Sequence, residues 1–216
     1  MKFNLYLQNK GKKELLGGFD TFENAEKFLF EHAKKLSLSK SGVKVEELAE
    51  THKKYHFDNC EDVFSIIKHI EVVAAIIIKD GKVFTTQRGY GEFKDGWEFP
   101  GGKMEVGETM QQALERELRE ELAIKVKASD LIKTIEYEYP KFQLTMHCLK
   151  TEILEGEPNL LEHEDAKWVN KAEIESVAWL PADLEVIENI KKMLWIIWFD
   201  IKKINVYIKK SKSNMI

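Results

Sequence analysis

Seven consecutive apolar residues, Val72 to Ile78, lead into Lys79-Asp80-Gly81, and a second strand-like stretch follows from Val83 to Gln87. Asp-Gly between two such stretches is a strong hairpin signal, because both positions tolerate the positive φ of a tight two-residue reversal. An apolar run with no polar alternation is buried on both faces, so a covered sheet is expected to begin here. Further strands are expected at Ile124 to Lys127, Leu131 to Tyr139, Phe142 to Ile153 and Ala166 to Val169, with one strong helix before them. Strands in excess over helices point to an α+β sandwich built on a mixed sheet.

The residues before this sheet have a different texture. Lys2 to Leu7 alternates like a strand, and Asp20 stands three residues ahead of Glu23, opening a helix with Ala25, Phe28, Leu29 and Ala33 on one stripe. Two further helical stretches are expected at about Val45 to Tyr55 and Cys60 to His69. On the first of these, His52 and His56 would stand one turn apart with Cys60 four residues on, a spacing open to zinc but better explained as a polar helix face. Residues 1–68 thus read as a small α+β domain of unassigned role. The 24 residues 193–216 read as a helical extension: apolar positions recur at helical spacing from Val186 through Leu194 to Ile208, and five lysines follow Asp200. Three destinations are open to it: packing on the amino-terminal domain, which is favoured, a dimer contact, or weak attachment to an acidic lipid surface.

Composition narrows the partners. The net charge of −4 argues against stable binding of nucleic acid, which needs a basic surface to release counterions. Two cysteines, Cys60 and Cys148, are too few for a disulfide scaffold. The opening residues carry no apolar stretch of an export signal, so a cytoplasmic location is expected. The apolar run Met193 to Phe199, no longer than Val72 to Ile78, is far short of the roughly 20 residues needed to span a bilayer. Monomer and homodimer both remain open.

Chemistry is concentrated in GWEFPGGKMEVGETMQQALERELREEL, Gly96 to Leu122, where a glycine-rich loop meets a helix dense in carboxylates. Glu117, Glu120 and Glu121 stand at i, i+3 and i+4, so they leave adjacent turns of one face. Their mutual repulsion is relieved by water or by divalent cations, and carboxylate oxygens suit Mg²⁺ or Mn²⁺. Leu114, Leu118 and Leu122 form the neighbouring stripe that would fasten the helix to the sheet, and Arg116 is placed to orient the acids.

Gly102, Glu108, Arg116, Glu117, Leu118, Glu120 and Glu121 reproduce the spacing of the Nudix signature, and the stretch from about Ile70 to Lys192 resembles the Nudix hydrolases, most closely the MutT-like branch that carries EFPGGK. The resemblance implies an α/β/α sandwich over residues 69–192 and Mg²⁺-dependent hydrolysis of nucleoside triphosphates, with water activated by the metal attacking the β phosphorus to give a monophosphate and pyrophosphate. It implies a metal set of Gly101 (through its carbonyl), Glu117, Glu120, Glu121 and Glu162, with Glu164 as the near alternative to Glu162. Glu117 or Glu162 would take the proton of water. Arg88, Lys103, Phe99 and Asp183 would contact substrate, with Trp97 as the other candidate for stacking on the base; His147 and His163 are expected in structural or substrate-edge roles. Pool sanitation on 8-oxo-dGTP leads, with CTP or a modified dCTP as the competing substrate. A nucleotide-sensing or protein-binding module without turnover is the reading of another class, and the retained acidic positions argue against it. One position departs from the signature: Ala123 stands where the family carries Gly, at a helix exit that would cost Ala about 1 kcal/mol.

Overall fold

The computed structural model describes residues 2–196, which form two compact units: residues 2–71 with 136–145, and residues 72–135 with 146–196.

In the first unit, β1 (Lys2–Asn9) pairs antiparallel with β2 (Lys12–Phe19), and α1 (Phe22–Lys35) follows. Thr21 caps α1 by accepting from the Asn24 N–H, one residue after the Asp20 start expected from sequence. Its stripe of Ala25, Leu29 and Ala33 packs on Leu5, Tyr55, Phe57, Phe64 and Ile66. The helices expected at about Val45 to Tyr55 and Cys60 to His69 are instead strands: β3 (Val43–Ala49), β4 (His52–Phe57) and the start of β5 (Val63–Lys79). Antiparallel pairing of β3 with β4 and of β4 with β5 overrides the helical spacing. The spacing misled because β3 is almost wholly exposed and has no apolar face to betray a period of two. On a strand, positions four apart are about 13 Å apart, so His52 and His56 cannot share a zinc ion. His52 is buried between the Pro140 carbonyl and the Ser65 hydroxyl, at 3.1 Å from each.

Residues 136–145 complete this unit from far along the chain. Tyr6 donates to Gln143 at 2.5 Å, Thr51 donates to the Lys141 carbonyl at 2.5 Å, and Lys13 pairs with Glu138.

The second unit holds the rest of β5, followed by β6 (Lys82–Gln87), β7 (Trp97–Glu98), α2 (Met110–Leu122), parts of β8 (Lys125–Glu138) and β9 (Phe142–Glu155), β10 (Asp165–Asn170) and α3 (Pro181–Leu184). A last described helix, α4, covers 187–196. The Asp80-Gly81 hairpin forms as expected, with Ile78 opposite Val83 and both turn residues at positive φ. β6 also pairs antiparallel with β10 and β7, and a parallel bridge joins Trp97 to Trp179, so the sheet is mixed. Alternation along β5 sends Val73, Ala75 and Ile77 to the core shared with Ala113, Leu114, Leu118 and Leu122 of α2. Ala74 and Ile76, on the opposite face, are equally buried. Burial on both faces is why the run needed no polar alternation. The tail beyond Ile196, and with it the expected docking, dimer or lipid contact, lies outside the described residues. Among those residues no helix is long and apolar enough to cross a membrane.

Candidate active site

Helix α2 is a firmly bounded platform. Thr109 and Gln112 form a reciprocal capping box at its start, and at its end Ala123 adopts the left-handed conformation (φ 54°, ψ 30°), donating back to Arg119 and Leu118. The departure from glycine thus leaves the helix exit intact and places the strain on Ala123. The loop ahead of the helix lies along β5, where Val73 donates to the Gly102 carbonyl at 2.9 Å and Ala75 to that of Pro100 at 2.8 Å. The Gly101 carbonyl between them takes no part in these two bonds. Gly101 has φ 151°, and a Cβ there would strike the Val73 carbonyl; a Cβ on Gly102 would strike the Glu117 carboxylate. Only glycine lets backbone and carboxylate approach so closely.

Arg116 gathers the acids. Its Nε and Nη2 donate to the two oxygens of Glu108 at 2.7 and 2.8 Å, and Nη2 also reaches the Lys103 carbonyl at 3.0 Å. Its Nη1 meets Glu117 at 2.8 Å and the exposed Glu120 at 3.4 Å. The bidentate pair, helped by the Glu105 N–H, holds the Glu108 carboxyl down at about 2. Glu121 has no such partner: its Oε2 is buried and unsatisfied. Burial pushes its pKa up to about 7; neighbouring Glu117, Glu98 and Glu162 push the same way while His163 opposes them.

The loop carrying Glu162 is tied to the end of α2, since Asn159 donates to the Leu122 carbonyl and Leu161 to that of Glu121. Glu162 is exposed and accepts from the Tyr90 hydroxyl at 3.1 Å, whereas Glu164 is anchored through its backbone N–H to Gln87. Arg88, just past β6, donates through Nε to both oxygens of Glu98 at 3.0 and 3.2 Å. Burial alone would lower the Arg88 pKa, but Glu98 outweighs it and the net shift is upward. Lys103 is exposed at the same loop.

The remaining sequence candidates are more deeply set. Phe99 is buried and stacked on Trp179, with centroids 4.7 Å apart, and Trp97 is buried with the Lys167 ammonium 3.6 Å from its ring centroid. Asp183 accepts from the Phe99 N–H at 2.9 Å, and its complete burial raises its carboxyl to about 8. His147 is structural, bonded to the Thr134 hydroxyl at 3.0 Å. Sequence reasoning missed Tyr90, Glu98 and Trp179. Glu98 lies inside the quoted loop motif; nothing local marks the other two.

A divalent cation fits this donor set. The groups are hard oxygens, one of them buried without a partner, and crowded like charges call for a counterion. Among the described residues no three acidic, histidine or cysteine side chains converge as a finished cage, since Arg116 holds Glu117 and Glu120.

Comparison with known proteins agrees with this geometry. A CTP pyrophosphohydrolase of Escherichia coli (strain K12) is 37% identical over 123 residues, 56% of this chain and 91% of the relative. An 8-oxo-dGTP diphosphatase of Haemophilus influenzae is 34% identical over 125 residues, 57% of this chain and 92% of the relative. The solution structure of the E. coli ORF135 protein superposes with a TM-score of 0.52 at 35% identity, covering 59% of this chain and 91% of that one. The crystal structure of a MutT protein from Methanosarcina mazei Go1 shares the fold, with a TM-score of 0.53 at 22% identity, covering 59% and 96%. The NUDIX domain profile matches residues 68–190, the stretch that holds the glycine loop, the Arg116-bound acids and the Glu162 loop, and the chain therefore belongs to the NUDIX family of hydrolases, which act on phosphoric anhydrides.

Proposed function

We propose that this protein is a Mg²⁺-dependent nucleoside triphosphate pyrophosphohydrolase that sanitises the nucleotide pool, with 8-oxo-dGTP as the leading substrate. The observation that carries the reading is the buried, unpartnered oxygen of Glu121 on a helix face that also presents Glu117 and Glu120, beside the loop bearing Glu162. The stretch 69–192 supplies the catalytic domain, apart from residues 136–145, which complete the unit formed by residues 2–71.

Glu117, Glu120, Glu121, Glu162 and the Gly101 carbonyl would hold the cation. When bound, Mg²⁺ neutralises phosphate oxygens and makes water more acidic. Arg116 orients Glu117 through the 2.8 Å contact, leaving that carboxylate or Glu162 to accept the proton of the attacking water. Arg88 and Lys103 offset charge that develops on the phosphates. Asp183, whose carboxyl is raised by burial to about 8, would present its polar end to the edge of a base. Phe99, stacked on Trp179, would offer the base an apolar surface.

A CTP or modified dCTP substrate is the second reading, favoured by the CTP pyrophosphohydrolase at 37% identity. Pyrophosphate release with Mg²⁺ across canonical and oxidised triphosphates, ranked by kcat/KM, separates the two. Binding without turnover across that panel would overturn the enzyme and leave a nucleotide sensor.

A further inference from the structure

Arg88 is a long cation paired with Glu98 and sharing the neighbourhood of Tyr90 with the carboxylates of Glu162 and Glu121. Arg116 shows what such a cation does when it is free to choose: it bonds to Glu108, Glu117 and Glu120 together. Arg88 does not do this. Its Nε is spent on both oxygens of Glu98, a carboxylate mostly buried on β7, and among the described residues its two terminal nitrogens make no hydrogen bond. Glu98 is itself immobilised. Its residue pairs with Thr86 of β6 and its carbonyl accepts from the Thr85 hydroxyl at 2.7 Å, so the anchor is fixed to the strand from whose end Arg88 emerges. On the other side stands His163, almost wholly buried, with Nε2 3.6 Å from Glu98 Oε1 and Nδ1 without a partner. That separation exceeds hydrogen-bond length, so His163 confines the Glu98 carboxylate by packing rather than by a bond.

We propose that Glu98, backed by His163, is a positioning residue: it holds Arg88 by Nε so that the terminal nitrogens stay turned to the substrate's phosphates and off the metal-binding acids. Placing one more carboxylate in an acidic site is costly unless it answers a cation, and Arg88 is that cation. The proposal rests on Arg88 contacting substrate, as in the function proposed above. Tyr90 lies within electrostatic range of Arg88, Glu162 and Glu121 alike, so an Arg88 released from its anchor would be drawn toward those acids, lowering both phosphate affinity and the site's capacity for Mg²⁺.

The test is a double-mutant cycle in the full chain, read as kcat/KM for pyrophosphate release from 8-oxo-dGTP or CTP with Mg²⁺. Arg88→Ala is expected to lower kcat/KM by about 30-fold or more, and Glu98→Ala by about 10-fold or more. The double variant is expected to be no worse than about 3-fold below Arg88→Ala alone, because residues acting as one unit do not add. Glu98→Gln keeps an acceptor for Nε and should recover most of the loss. His163→Ala should cost a few-fold in the parent and nothing further once Glu98 is Ala. Multiplicative losses in the double variant would assign Glu98 a direct contact with metal or substrate and overturn the positioning role while leaving the proposed function in place. An Arg88→Ala variant as active as the parent would remove the substrate contact itself, and the inference with it. Failure of the parent to release pyrophosphate would count against the function alone, and in that case competition by inorganic phosphate against nucleotide binding in the same variants still reads the coupling.

Discussion

Ala123 carries a measurable strain. It closes α2 in the left-handed region at φ 54°, ψ 30°, where an L-residue with a Cβ loses about 1–2 kcal/mol. Its methyl group is exposed, so Ala123→Gly sacrifices no packing. Against the relief stands the greater freedom of glycine in the unfolded chain, about 0.4–1 kcal/mol. The net is a gain of about 0.5–1 kcal/mol, or roughly 1–4 °C in Tm for a chain of this size. Trp97, Trp168, Trp179 and Trp195 lie in the unit that contains α2 and no tryptophan precedes residue 72, so tryptophan fluorescence during urea or thermal unfolding reports that unit. The expected result is a higher midpoint with an unchanged urea slope. Ala123→Val should move the other way by at least as much, since a β-branched side chain tolerates positive φ less well. A midpoint unchanged or lowered in Ala123→Gly would refute the reasoning: it would mean that the helix exit is not strained at this residue.

Three other outcomes follow from particular contacts. Glu121→Gln should cut pyrophosphate release by about 100-fold or more while leaving the metal-free fold at least as stable, because a neutral amide relieves a buried carboxyl crowded by Glu117, Glu98 and Glu162; turnover near the parent's would remove Glu121 from the site. Asp183→Asn should flatten the pH dependence of stability. With its carboxyl raised to about 8 in the fold and ionising near 4 when unfolded, the native state binds the extra proton between those values, so stability is lost as pH rises through that window, by up to roughly 5 kcal/mol over its whole width; parallel urea midpoints for parent and variant from pH 5 to 8 would contradict this. Tyr6→Phe strands Asn4 and Gln143 without their shared hydroxyl and should cost about 1–3 kcal/mol, read by faster hydrogen exchange of β1 amides; unchanged protection would show that contact to be idle.

What was legible in the sequence is what is local. The Asp80-Gly81 turn, the apolar stripe of α2 and the spacing of Glu117, Glu120 and Glu121 are all determined within one or two turns of backbone, and each stands where the sequence places it. The exposed strand β3 was illegible for the opposite reason: its polar residues have no period of their own, and its pairing with β4 decides its conformation. The completion of the first unit by residues 136–145 was also out of reach, because the Tyr6 and Gln143 partnership spans 137 positions.

The same division runs through the site and explains its unequal arginines. Arg116 sits on α2 one residue from Glu117 and four from Glu120, so its engagement with acids is written into helical spacing. Arg88 meets Glu98 only because β6 and β7 pair. A helix can supply a dense anionic face and the cation that orders it from one segment. It does not itself supply a second cation to the site: the other arginine of α2, Arg119, is exposed and makes no ion pair among the described residues. Holding Arg88 in reserve requires an anchor from a different strand, and that requirement gives Glu98 a physical reason to be acidic among so many acids.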